Sequence, residues 1–85
     1  VSKKKRVTLN INLDDIRAQY TGFVFHIFRN GTKRLFRTVK VTGNTTIFNL
    51  PAGEYLFKLI VLHRKKHWWE ARVKTEIKSG YIAVP

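Results

Sequence analysis

Cysteine is absent from the 85 residues, so neither a disulfide framework nor a thiolate metal site is open to this chain. Small secreted domains often lean on disulfides; here packing and sheet hydrogen bonds must hold the fold. Acidic residues are scarce, 5 against 17 Lys and Arg, which leaves a net charge of +12. Such an excess points to polyanionic partners, or it keeps a β domain soluble; it does not dictate a fold. Long apolar runs are missing too. The longest, YLFKLIVL at 55–62, is too short to span a bilayer and contains Lys58. The opening VSKKKRV lacks the apolar core of a signal peptide, and the absence of an initiator Met reads as a domain of a longer protein. No membrane insertion is expected.

What is present is alternation. The length suits one domain, and a hydrophobic fraction of 44% is that of a folded chain. Residues 1–6 read as a basic arm and 7–85 as a single β domain. In RVTLNINL, Val7, Leu9, Ile11 and Leu13 point one way and Thr8, Asn10 and Asn12 the other, the period of a half-buried strand. DDIRAQYTG (14–22) breaks the pattern and reads as a connection with room for one helical turn. FVFHIF (23–28) is a second strand. Asn30-Gly31 then suits a primed hairpin turn with positive φ at both residues. KRLFRTVKV (33–41) is a third strand of ambiguous facing, which a bulge or an edge position would reconcile. TTIFNL (45–50), EYLFKLIVLH (54–63), HWWEARVKTEI (67–77) and, after a KSG turn, YIAV (81–84) complete about seven short strands. That is the pattern of an all-β antiparallel sandwich or barrel. The expected core is Val7, Leu9, Ile11, Phe23, Phe25, Ile27, Leu35, Phe48, Leu50, Tyr55, Phe57, Leu59, Val61, Trp69, Val73 and Ile77.

Pro51 and Gly53 punctuate the chain between the fourth and fifth strands. Pro51 fixes φ and donates no hydrogen bond, and Gly53 supplies a φ other residues resist. Leu50-Pro51-Ala52-Gly53 is therefore a compact turn. The stretch FNLPAGEYLFKLIV (48–61), with GFVFHIFRNG (22–31) upstream, resembles the turn-and-strand signature of prealbumin-like β-sandwich modules. These include the B-type repeats of collagen adhesins and the carboxypeptidase regulatory-like domains. The resemblance implies an immunoglobulin-like sandwich of seven strands, no enzymatic activity, and a stalk, spacer or adhesive role at the cell surface. It also implies that the third and sixth strands are neighbours. Many adhesin repeats carry an internal Lys–Asn isopeptide bond. Here there is no Lys between Val7 and Leu13, no acid in the fifth strand after Glu54 and no Asn in YIAVP, so no such bond is expected.

Catalytic residue sets are hard to assemble. Ser2 and Ser79 fall in the arm and a turn, and Asp14 and Asp15 are adjacent in a polar connection. His63 and His67 flank RKK, but two imidazoles fall short of a zinc site, and His26 stands alone in an apolar strand. Neither metal nor cofactor is expected. Asn30-Gly31-Thr32 and Asn44-Thr45-Thr46 match the N-glycosylation pattern, but Asn also suits the turns in which both fall.

HRKKHWWEARVK (63–74) is the strongest functional candidate. On a strand, Trp68 and Trp69 face opposite ways, so Trp69 joins Ala71 and Val73 inside while Trp68 lies outside near Arg72; the strand order that the resemblance implies brings Arg34 and Lys40 near it as well. An exposed aromatic among cations suits bases or sugar rings carrying anionic groups; packing against a neighbouring domain would also account for it. The expected polyanion-binding set is Lys3, Lys4, Lys5, Arg6, Arg34, Lys40, Arg64, Lys65, Lys66, Trp68 and Arg72. Its partner is an anionic polymer (a cell-wall or matrix glycan, or nucleic acid) or neighbouring domains of the same protein. Two functions fit. One is a non-catalytic module of a cell-surface or secreted protein; the other is a cytoplasmic nucleic-acid-binding small barrel of the oligonucleotide-binding type.

Overall fold

The computed structural model describes residues 3–85; Val1 and Ser2 lie outside the described residues. The chain forms six strands: β1 (Lys4–Asn10), β2 (Gly22–Arg29), β3 (Leu35–Val41), β4 (Thr45–Pro51), β5 (Gly53–Leu62) and β6 (Lys74–Val84). One short 3-10 turn, Arg17–Gln19, interrupts the connection between β1 and β2. All pairings are antiparallel. β1 and β4 make a two-stranded sheet, and a four-stranded sheet runs in the order β3-β2-β5-β6. β3 and β6 are thus opposite edges, not the neighbours that the resemblance implies.

Alternation fills the space between the sheets. From β2 come Phe23, Phe25 and Ile27, and from β5 Tyr55, Phe57, Leu59 and Val61; β4 adds Phe48 and Leu50. Val7, Leu9 and Ile11 pack half-buried against this cluster. Leu13, on the connection after β1, closes one end and is fully buried. Phe25 and Phe57 meet edge to face at 5.7 Å between ring centres. Ile82 and Val84, from the last residues of β6, complete the core.

The Pro51 turn carries the chain between sheets. β4 ends at Pro51 and β5 begins at Gly53, whose φ is 148°. Tyr55, wholly buried just beyond, donates its hydroxyl to the Pro51 carbonyl at 2.7 Å and locks the corner. At the other tight turn, the Thr32 N–H bonds to the Arg29 carbonyl at 3.0 Å, and only Gly31 has positive φ, at 83°. That is the type II pattern, not the primed turn expected for Asn30-Gly31.

Several strand assignments shift. Lys4, Lys5 and Arg6 belong to β1 and pair with Pro51, Leu50 and Asn49, so most of the basic arm is sheet. β3 is indeed an edge strand, and its register slips beside Ile27/Phe28 so that Phe36 is the extra residue. Leu35 then lies opposite Phe28 on the outer face and is exposed, not core. Residues 67–73 are not strand, which removes Trp69 and Val73 from the core. KSG is no turn either. β5 is ten residues long, and β6 runs beside all of it with one slip that leaves Ile77 unpaired and exposed. Gly80 sits opposite Phe57, where a Cβ would come within 2.8 Å of the ring. Its glycine serves close approach.

Candidate functional site

The long connection between β5 and β6 is anchored at its base. The His63 N–H donates to the Val73 carbonyl at 2.9 Å, and His63 Nε2 lies 2.7 Å from Thr75 Oγ1. Within the loop the hydrogen bonds are local. The Glu70 N–H reaches the His67 carbonyl at 3.2 Å, and the Lys66 N–H donates to Glu70 Oε2 at 3.3 Å. This turn competes with ladder formation and explains why HWWEA leaves the sheet. Two arginines tie the loop to the β1–β2 connection: Arg64 donates to the Ala18 carbonyl at 3.0 Å and Arg72 to Thr21 Oγ1 at 3.2 Å. Tyr20 packs edge-on against His63 at 5.1 Å.

The loop presents its aromatics outward. Trp68 is 86% exposed and Trp69 65% exposed. The His67 ring stacks on Trp69 at 4.4 Å with 8° between planes, and Trp68 meets Trp69 edge-on at 5.8 Å. Trp69 is thereby covered on one face, while Trp68 offers a nearly free indole plate. Arg64, Lys65 and Lys66 are exposed beside them. His63 and His67 are separately engaged, and among the described residues no group of three His, Cys, Asp or Glu gathers as a metal would need.

The expected binding set divides between the two ends of the sandwich. Lys40, at the end of β3, lines a cleft with Arg72, and the 63–73 loop brings Arg64, Lys65, Lys66 and Trp68 to the same end. Lys3, Lys4, Lys5 and Arg6 run from the opposite end, since Lys4 pairs with Pro51. Arg34 is there too, in the β2–β3 hairpin with Arg29, whose guanidinium lies 4.6 Å over the Phe36 ring. The eight residues of β2 separate the two groups by roughly 20–25 Å at strand rise. Arg34 is therefore not beside Trp68. Arg17 and Trp69 join the loop end, and neither was among the expected binding residues. Arg17 comes from a connection with no periodicity, and only the fold brings it to Lys40.

Positive charge at both ends is weakly offset. The one salt bridge among the described residues joins Lys58 Nζ to Glu76 Oε2 at 3.8 Å, on the sheet. Among the described residues no helix is long and apolar enough to cross a membrane. Comparison with family models, with curated proteins and with solved structures gives no match.

Proposed function

We propose that this chain is a non-catalytic, immunoglobulin-like sandwich module of a cell-surface or secreted protein that holds an anionic glycan on its 63–73 loop. The strand order supports the fold reading. If β1 and β4 are strands B and E, then β3-β2-β5-β6 are C′, C, F and G, with A and D lacking counterparts among the described residues. The Tyr55 hydroxyl bonded to the Pro51 carbonyl has the position of a tyrosine corner, at the start of strand F.

The observation that carries the binding reading is Trp68, 86% exposed on a loop tied down by hydrogen bonds and flanked by Arg64, Lys65 and Lys66. A large apolar plate held in water is unfavourable for the isolated domain, and stacking on a sugar ring would offset it. Proteins that hold single-stranded nucleic acid place successive stacking platforms along a groove. Here His67 occupies one face of Trp69, and the two indoles stand edge-on within one loop instead of following one another along a groove. The sheets also remain separate, which does not favour the barrel alternative.

Titration with heparin, a poly(glycerol phosphate), single-stranded DNA and duplex DNA tests the reading. Tightest binding to a glycan or glycerol phosphate polymer is expected, weakening steeply with salt. Tightest binding to single-stranded DNA would favour the nucleic-acid function. No binding at low salt to any of them would leave the loop as a domain-packing surface. Replacing Lys65 and Lys66 with Ala should flatten the salt slope by about two, if each contact contributes about one as on duplex DNA. Trp68→Ala should weaken binding with little change in slope, by about 1–3 kcal/mol if bases stack on it.

A further inference from the structure

Beside the loop, where β2 begins and β3 ends, lies a cleft of about 630 Å³. Three cations line it from three separate segments: Arg17 from the β1–β2 connection, Lys40 from β3 and Arg72 from the β5–β6 loop. Thr21, Thr38 and Thr42 add hydroxyls to its wall. The two guanidinium groups are held in place by neutral oxygens. Arg17 donates to Asn44 Oδ1 at 3.0 Å and to the Thr42 carbonyl at 3.4 Å, and Arg72 donates to Thr21 Oγ1 at 3.2 Å. Asn44 also donates to Asp14 Oδ1 at 3.2 Å and so stands between that carboxylate and Arg17. Neither arginine forms a salt bridge with a described carboxylate. Their orientation is set while their charge remains unpaired, and each retains further N–H donors. Ordering two long cationic side chains around an anion would otherwise cost rotamer entropy.

We propose that this cleft seats one tetrahedral oxyanion, a sulfate or phosphate ester, of the polymer that stacks on Trp68. The inference rests on the polymer-binding reading above and adds where the anionic group sits. Guanidinium donors match such an anion in forked geometry, and the Thr38 and Thr42 hydroxyls can supply further donors, whereas the Thr21 hydroxyl already donates to the Leu62 carbonyl at 3.1 Å. Arg72 lies between the two parts of the site: it lines the cleft and belongs to the loop that carries Trp68.

The test uses amide spectra of the whole chain with sodium sulfate, and with sodium chloride at matched ionic strength as control. Saturable shifts at Thr21, Gly22 and Thr42 with sulfate alone are expected, and their loss in the Lys40→Ala/Arg72→Ala double variant. That variant leaves the core untouched, so its spectrum should otherwise resemble the parent. A heparin-derived tetrasaccharide should bind it about tenfold or more weakly, because charge-assisted hydrogen bonds are removed. An octathymidylate and a poly(glycerol phosphate) arm distinguish a phosphodiester source from a sulfate ester. If the tetrasaccharide binds parent and double variant equally while Trp68→Ala weakens it, the cleft proposal is overturned and the loop reading stands. Sulfate shifts that chloride reproduces would also overturn the cleft. If no polymer binds the parent at low salt, both fail.

Discussion

Tyr55→Phe isolates one hydrogen bond of the corner that turns the chain from one sheet to the other. The ring stays, with its contact to Phe36 at 5.6 Å between centres; only the bond from the hydroxyl to the Pro51 carbonyl is lost. A net hydrogen bond is worth about 1 kcal/mol, and a buried acceptor left without a partner costs about 1–3 kcal/mol. Pro51 is only half-buried, so water can reach part of its carbonyl, and the expected loss is about 1–2 kcal/mol. At roughly 0.05–0.15 kcal/mol per residue, a chain of this length has about 4–13 kcal/mol in all. The change should lower the melting temperature by roughly 5–15 °C. In urea the midpoint should fall by roughly 0.3–2 M, with the slope unchanged. A midpoint equal to that of the parent would mean that the hydroxyl does not hold the corner.

Gly80→Ala should destabilise by about 1–3 kcal/mol, because the new methyl meets the buried Phe57 ring at 2.8 Å. Gly43→Ala, with nothing within 4 Å, should be nearly neutral; equal urea midpoints for the two would refute the β5–β6 register. Trp69→Ala should change stability little, since the side chain is exposed, whereas Leu59→Ala should cost about 2–5 kcal/mol. Equal losses from these two would return Trp69 to the core. Intact mass should equal the sequence mass, because β6 contains no Asn for a Lys–Asn bond; a deficit of one ammonia would contradict this.

Sheet periodicity was legible wherever both the strand and its neighbours were regular. Phe23, Phe25 and Ile27 alternate on β2, and Tyr55, Phe57, Leu59 and Val61 on β5, and all seven are buried as their parity requires. Parity misled at Trp69 and Val73, because it applies only to a chain that is strand. The turn built by Glu70 and His67 depends on local hydrogen bonds that hydrophobic periodicity does not encode. Ile82 and Val84 enter the core because Gly80 does not turn the chain; it makes space for the Phe57 ring and lets β6 run on beside β5. The aromatic and basic character of 63–73 was visible in composition. The company that Arg72 keeps was not, since Thr21 and Arg17 reach it through contacts long in sequence.

The central claim, that the 63–73 loop is a binding surface, has a reporter built in, because Trp68 and Trp69 are the only tryptophans in the chain. Intrinsic fluorescence of the unaltered protein should show water-exposed indole. Adding a heparin-derived tetrasaccharide at low salt should change that emission saturably, by a shift to shorter wavelength or by quenching, and added sodium chloride should reverse the change. Emission that stays constant while calorimetry registers the same oligosaccharide binding would place the contact elsewhere on the molecule and contradict the account.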